Sequence, residues 1–418
     1  MSDSKFLYVG IDVSKASNQV YAMDSDEKKF LSFSSPNNSE GASAIEQRLF
    51  EVLVKFSFTD VVIILESTGM YSYHIAVFLA ASELLAKFNV LVFNINPKTS
   101  CNYRKTFCDL DKTDPKDSFL LADMARSGKY KQFTPVRGSQ KLALQRLTRH
   151  RKHISELIGR EKCYVLNNIF LKFSAFDSKI DGKSVFSDTF SASATEILSQ
   201  FKTPEEIENS SIEDLVAILA KASKNRFENT VEVANLLKKC ARLSYRLNKA
   251  AYDPINIAIA SSLCLIRTFE KQLESIDKEI LNLIKGLQSN EYASLISIPG
   301  IGPVFAAGIL SEIGSVKQFA NDSALAKYAG ITWRTKQSGK FAADETPMTK
   351  TGNNYLRYYL LEATSMAILH NPEYRAYYLK KREEVTTHQH TRAVALTSRK
   401  LIRLIYGLVS KDQLFASI

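Results

Sequence analysis

The chain has 418 residues, 45% of them hydrophobic and 24% charged, which excludes a disordered or fibrous polymer and leaves room for two or three domains. No apolar run reaches the length of a membrane span, and the opening MSDSKFLYVGID meets Asp12 too early for a signal peptide, so a cytoplasmic protein with no membrane partner is expected. The net charge of +11 is unevenly spread: residues 98–162 carry 16 Lys and Arg against 7 Asp and Glu, and residues 330–418 carry 14 against 7, on a mildly acidic remainder. Two basic stretches of that kind point to a polyanion, with nucleic acid the leading candidate.

In chain order, KFLYVGIDVS (5–14), NQVYAMD (18–24) and KKFLSFSS (28–35) read as three strands on connections short enough for antiparallel pairing. A helix is predicted over 40–56, with Ile45, Leu49, Leu53 and Val54 on one face. DVVIILEST (60–68) is a continuous apolar run, the pattern of a strand buried on both faces. A helix over 71–86, a buried strand over 88–96 and a helix opening at KTDPKDS and running to about Arg126 complete the order β-β-β-α-β-α-β-α. Three antiparallel strands followed by parallel crossovers is the layout of the ribonuclease-H-like fold. Beyond it lie a long polar helix (140–170) and a helix over 262–288 whose Ile266, Phe269, Leu273, Ile276, Ile280, Leu283 and Leu287 step by 3 and 4. That stepping fits a coiled coil or a helix packed on its own domain equally well. Between them, TPEEIENSSIEDLVAIL (203–219) carries two helix starts, at Thr203 and Ser211. Residues 295–314 resemble a helix-hairpin-helix, where Gly300 and Gly302 would let backbone N–H groups approach a phosphate.

Chemistry gathers on carboxylates. Asp12 and Glu66 close predicted strands, where an ionised group in an apolar run is costly unless paired or bound to metal. Asp114 and Asp117 open a helix; they suit capping, with Asp114 as N-cap, and equally suit liganding. Hard oxygen donors of this kind select Mg²⁺ or Mn²⁺. Asp109 and Asp111 precede the helix and rank below them.

GIDVSK, LESTG, KTDPKDS, IPGIGP, YAGI, QSGK and KTGNNYLR follow one another in this order. The chain thereby resembles the DEDD transposases of the Piv-invertase-like insertion-sequence family, understood as bridge-RNA-guided serine recombinases. The resemblance implies an N-terminal RuvC-like domain with Asp12, Glu66, Asp114 and Asp117 as metal tetrad, and a second domain supplying Ser338 of QSGK as nucleophile. It implies double-stranded DNA and a structured guide RNA as partners, and a homo-oligomer, dimer or tetramer, in which the two domains meet across protomers. Lys105, Arg149, Arg151 and Lys152 are the expected grip on nucleic-acid backbone, and Arg334, Lys336, Lys340 and Arg357 a second basic group around the serine. The expected division is 1–135 catalytic, 136–290 helical and coiled-coil with an insert at 175–260, and 291–418 a mainly helical transposase domain. Lys340 replaces a second glycine common in the family, and Ser118 a usual alanine. The competing reading is a RuvC-like nuclease that resolves branched DNA by hydrolysis.

Overall fold

A computed structural model describes residues 5–416 except 67–68, 96, 108–112, 133–134, 137–138, 181, 287–288, 334–336, 339–340 and 343–345. Close contacts gather residues 1–148 and 281–418 into one compact unit and residues 149–280 into a second.

The first unit opens with β1 (Phe6–Val13), β2 (Ser17–Met23) and β3 (Lys29–Pro36), then α1 (Ser39–Lys55), β4 (Asp60–Glu66), α2 (Ser72–Ala80), β5 (Asn89–Ile95), α3 (Pro97–Arg104) and α4 (Asp114–Arg126). The sheet order is β3-β2-β1-β4-β5. β1–β2 and β2–β3 pair antiparallel, and β1–β4 and β4–β5 pair parallel. This is the topology expected of a ribonuclease-H-like sheet. The buried run of β4 follows from its place: Val61, Ile63 and Leu65 enter a core shared with α1 and α2, and Val62 and Ile64 enter a second core shared with α4. α2 stops at Ala80, short of the expected 86, where the chain turns and Ser82 Oγ accepts the Leu85 amide.

α5 (Ser139–Lys172) is one continuous helix whose start belongs to this first unit. Its Gln145 and Thr148 side chains hydrogen-bond Ser311, and Tyr359 donates its hydroxyl to the Thr148 carbonyl at 2.6 Å.

In the second unit a short ribbon of β6 (Lys179–Ile180) and β7 (Lys183–Ser184) leads to α6 (Ala192–Gln200), α7 (Pro204–Asn209), α8 (Ile212–Ser223), α9 (Thr230–Leu243) and α10 (Lys249–Lys285). Thr203 and Ser211 cap α7 and α8, accepting the amides of Glu206 and Asp214, as their sequence signals predict. α10 runs antiparallel to α5: Arg151 pairs with Asp277 and, further along α5, Lys162 pairs with the earlier Glu270. Of the heptad positions, Ile266, Ile276 and Ile280 are buried within this one chain, and Leu287 lies outside the described residues.

The rest of the first unit is α11 (Asn290–Ile296), α12 (Pro303–Ile313), α13 (Asp322–Ala329), a ribbon of β8 (Gln337–Ser338) and β9 (Phe341–Ala342), α14 (Asn354–His370), α15 (Pro372–Glu383) and α16 (Gln389–Ser410). α12 is buried from Ala306 to Ile313 and forms the centre of the helical core. Among the described residues, no helix is long and apolar enough to cross a membrane.

Candidate active site

Strand alternation turns two carboxylates to one face. Ile11 lies opposite Leu65 in the parallel pair, so Asp12 and Glu66 follow side by side at the strand ends. Leu7, Val9, Ile11 and Val13 point with Val61, Ile63 and Leu65 into the α1–α2 core; the residues between them face α4. Gly10 sets how close α4 comes. A methyl at that position would run into the Ser118 carbonyl and the Ala122 amide, so only glycine lets this helix lie on β1. The first turn of α4, with Asp114 and Asp117, is thereby brought to Asp12 and Glu66.

The expected cap is displaced by one residue. Thr113 is the N-cap, without a side-chain cap bond, and Asp114 is already helical. Pro115 in the first turn needs no amide partner, which lets the helix begin one residue early. Asp114 is therefore no cap and favours the helix start through its charge alone.

Burial, reinforced by the charges of Asp117, Glu66 and Asp114, pushes the Asp12 carboxyl up to about 6. The other three acids thus all act on Asp12. α3 answers part of this charge: Ser100 Oγ hydrogen-bonds Glu66, and Arg104 forms an ion pair with Asp117. Among the described residues, Nη1 of Arg104 is buried with no hydrogen-bond partner. Among the described residues, no three His, Cys, Asp or Glu side chains are set to hold one metal ion. Coulomb repulsion reaches well beyond the ~2 Å of a Mg²⁺–oxygen bond, so acids can act on one another without yet forming a cage. The chemistry of the side chains suits a hard divalent cation: four carboxylates from three elements lie toward one another, and burial with its acidic neighbours holds Asp12 above its ordinary ionisation.

The other expected residues lie in different settings. Asp109, Asp111, Arg334, Lys336 and Lys340 lie outside the described residues. Ser338 lies on the β8–β9 ribbon, paired with Phe341. Lys105 is exposed just after α3, and Arg149 is half-buried on α5. Arg151 is taken up bidentately by Asp277, at 2.5 and 3.1 Å, and Lys152 is buried and paired with Glu156. Gly300 (φ +92°) packs on α14: a Cβ would lie 2.6 Å from the Ala367 backbone. Gly302 is the N-cap of α12, with open space around it. Arg357 turns inward, its Nη1 donating to the carbonyls of Ala329 (3.0 Å) and Lys350 (3.2 Å), and burial lowers its pKa from the usual value.

Ser100 and Arg104 are the site residues that sequence reasoning missed; only their four-residue spacing on a helix before KTDPKDS could have hinted at a shared face. Arg146, one of many cations in a basic stretch, was also missed. Its guanidinium stacks 4.2 Å from the Tyr73 ring centroid and reaches Met70 Sδ at 3.3 Å, beside the segment that follows Glu66.

A family model of DEDD type, described as a transposase, matches residues 9–171, and one described as the transposase IS116/IS110/IS902 family matches residues 292–379. The 44.8 kDa protein of insertion element IS116 from Streptomyces clavuligerus is 23% identical over 312 residues, 73% of this chain and 72% of its own. The mini-circle IS117 protein of Streptomyces coelicolor is 28% identical over 263 residues, 60% of each chain. T. thermophilus RuvC, solved in complex with Holliday junction substrate, aligns with 31% of this chain and 99% of its own at 14% identity and a TM-score of 0.23.

Proposed function

The chain belongs to the IS110/IS116 family of transposases, and from that premise we propose that it cuts and rejoins DNA strands to move an insertion sequence. What supports this reading is the register that sets Asp12 beside Glu66, with Gly10 letting α4 lay its acidic first turn, Asp114 and Asp117, toward them. These residues would hold one or two Mg²⁺ or Mn²⁺, and such ions, when bound, stabilise charge on the attacking and leaving oxygens of a phosphoryl transfer. Glu66 and Asp117 exchange Ser100 and Arg104 for that role.

Rejoining requires that the energy of each cut strand be kept. Ser338 supplies the means: its Oγ bonds to phosphorus as the phosphorus–oxygen bond to the sugar breaks. The serine proton is given up, and the sugar oxygen departs as a hydroxyl. Attack by another sugar hydroxyl on the phosphoserine reverses the step and reseals a strand. In this reading a structured RNA chooses the sites, with Lys105 and Arg149 among its backbone contacts, and a dimer or tetramer joins acidic site and serine across protomers.

Ser338→Ala tests the serine directly. The expected result is loss of strand exchange and of the covalent protein–DNA adduct on denaturing gels, with DNA binding kept. Continued nicking by the variant at wild-type rate would replace this reading with hydrolysis by water at the acidic site. Sequencing RNA that copurifies with the protein tests the guide; recovery of only random cellular RNA would remove it.

A further inference from the structure

We infer that Arg357 is a positioning residue that clamps the two ends of the excursion carrying Ser338, and is not a phosphate contact. The inference rests on the serine reading above. The excursion leaves the core after α13 and returns before α14. At its base Thr349 donates its amide to the Thr332 carbonyl at 2.8 Å, the two threonine hydroxyls lie 3.1 Å apart, and Trp333 bridges Met348. One step inward, the Asn353 amide bonds the Tyr328 carbonyl at 2.7 Å. Arg357 lies between these stitches. Its Nη1 holds the outgoing chain through the Ala329 carbonyl and the returning chain through the Lys350 carbonyl.

Backbone conformation shows how tightly the base is drawn. Gly330 (φ +72°), Lys350 (φ +49°) and Gly352 (φ +134°) are all left-handed, and Lys350 adopts this without being glycine. A Cβ on Gly330 would lie 2.6 Å from both Arg357 Nη1 and the Thr351 carbonyl, and one on Gly352 would strike the Tyr328 carbonyl. The glycines of YAGI and KTG are thus the room that the clamp needs. Both bonds leave Nη1, whose two N–H groups are fixed in the guanidinium plane and aim at one carbonyl on each side; a lysine ammonium, a freely rotating point charge on a flexible stem, does not hold that direction.

The test compares Arg357→Gln and Arg357→Lys with wild type in three measurements. Hydrogen exchange should show the Thr349 amide losing protection in both variants while α12 and α14 keep theirs. Adduct formation at saturating DNA should fall about a hundredfold, the cost of a reacting group displaced by about 1 Å. DNA affinity and its dependence on salt should not change. A salt slope lowered by about one, with unchanged adduct formation at saturation, would make Arg357 a phosphate contact and overturn the clamp. Retained protection at Thr349 would overturn it as well. Gly352→Ala attacks the same junction from the other side and should give the same pattern if the Arg357 variants do not fold. Because exchange at Thr349 is read without DNA, the clamp is judged even if Ser338→Ala shows that the serine is not the nucleophile.

Discussion

The acidic site and the serine ribbon are built by opposite means. The carboxylates are placed by long-range register: parallel pairing sets Asp12 beside Glu66, and a bare glycine lets α4 press its first turn onto them. Ser338 sits on a two-residue strand whose neighbours in the chain are stitched locally, within some 25 residues, onto a helical core. A site made by register is rigid and fails as a whole. A site made by a stitched excursion can be displaced without unfolding what carries it.

The sharpest way to break the comparison is Asp12→Asn. If Asp12 serves as proposed, its loss should lower strand cleavage by about a thousandfold or more, read on a supercoiled substrate. The same change should raise the melting temperature of the metal-free protein. The sign follows from linkage: with its pKa at about 6 in the fold against 3.8 unfolded, Asp12 destabilises the protein once ionised, and the penalty grows as pH climbs from about 4 to 6. The advantage of the Asn variant should therefore be full above pH 6 and vanish near pH 4. A variant no more stable than wild type at pH 7 would mean that neither burial nor the neighbouring acids burden the ionised carboxyl. Next in size, Gly10→Ala should cost about 3 kcal/mol in denaturant unfolding and take cleavage with it, because the intruding methyl meets backbone on α4 that cannot yield.

The second unit serves as a control, since its polar burial serves packing. Lys172 is almost fully buried, donates to the Leu198 carbonyl at 2.7 Å, and has a pKa lowered by burial to about 8. Below pH 8 the fold carries the cost of a buried ammonium. As pH rises from 8 to 10.5 the native state gives up its proton before the unfolded chain does, so stability rises. Lys172→Met should stabilise by about 2 kcal/mol at pH 7, after allowing for the lost hydrogen bond, with the gain fading by pH 10.5. A gain independent of pH would contradict the assignment. The smallest effect separates two basic residues of one stretch: Lys105→Ala should lower the salt slope of nucleic-acid binding by about one, whereas Arg151→Ala should leave the slope alone and weaken the α5–α10 pair.

The strand order and the gathering of the four acids were legible because each leaves a local mark: alternation on β1, an unbroken apolar run on β4, and an acidic first turn with proline on α4. Gly10 was not legible as a spacer, because GIDVSK reads the same whether or not a helix lies on it. Arg151, Lys152 and Arg357 show the matching limit for charge. A cation raises the net charge equally whether it faces water, Asp277 or two backbone carbonyls, and only the fold tells these apart. Ser100 and Arg104 carry no mark beyond a helical spacing shared by countless surface pairs.

Stitching at Thr332–Thr349 has a practical corollary for protein engineering. Where entry and exit are pinned side by side, the free energy of closing a longer span grows only with the logarithm of its length. Spacers or small tags grafted between Trp333 and Met348 should therefore leave α12, α14 and α16 folded, even where they move Ser338 and cost strand exchange.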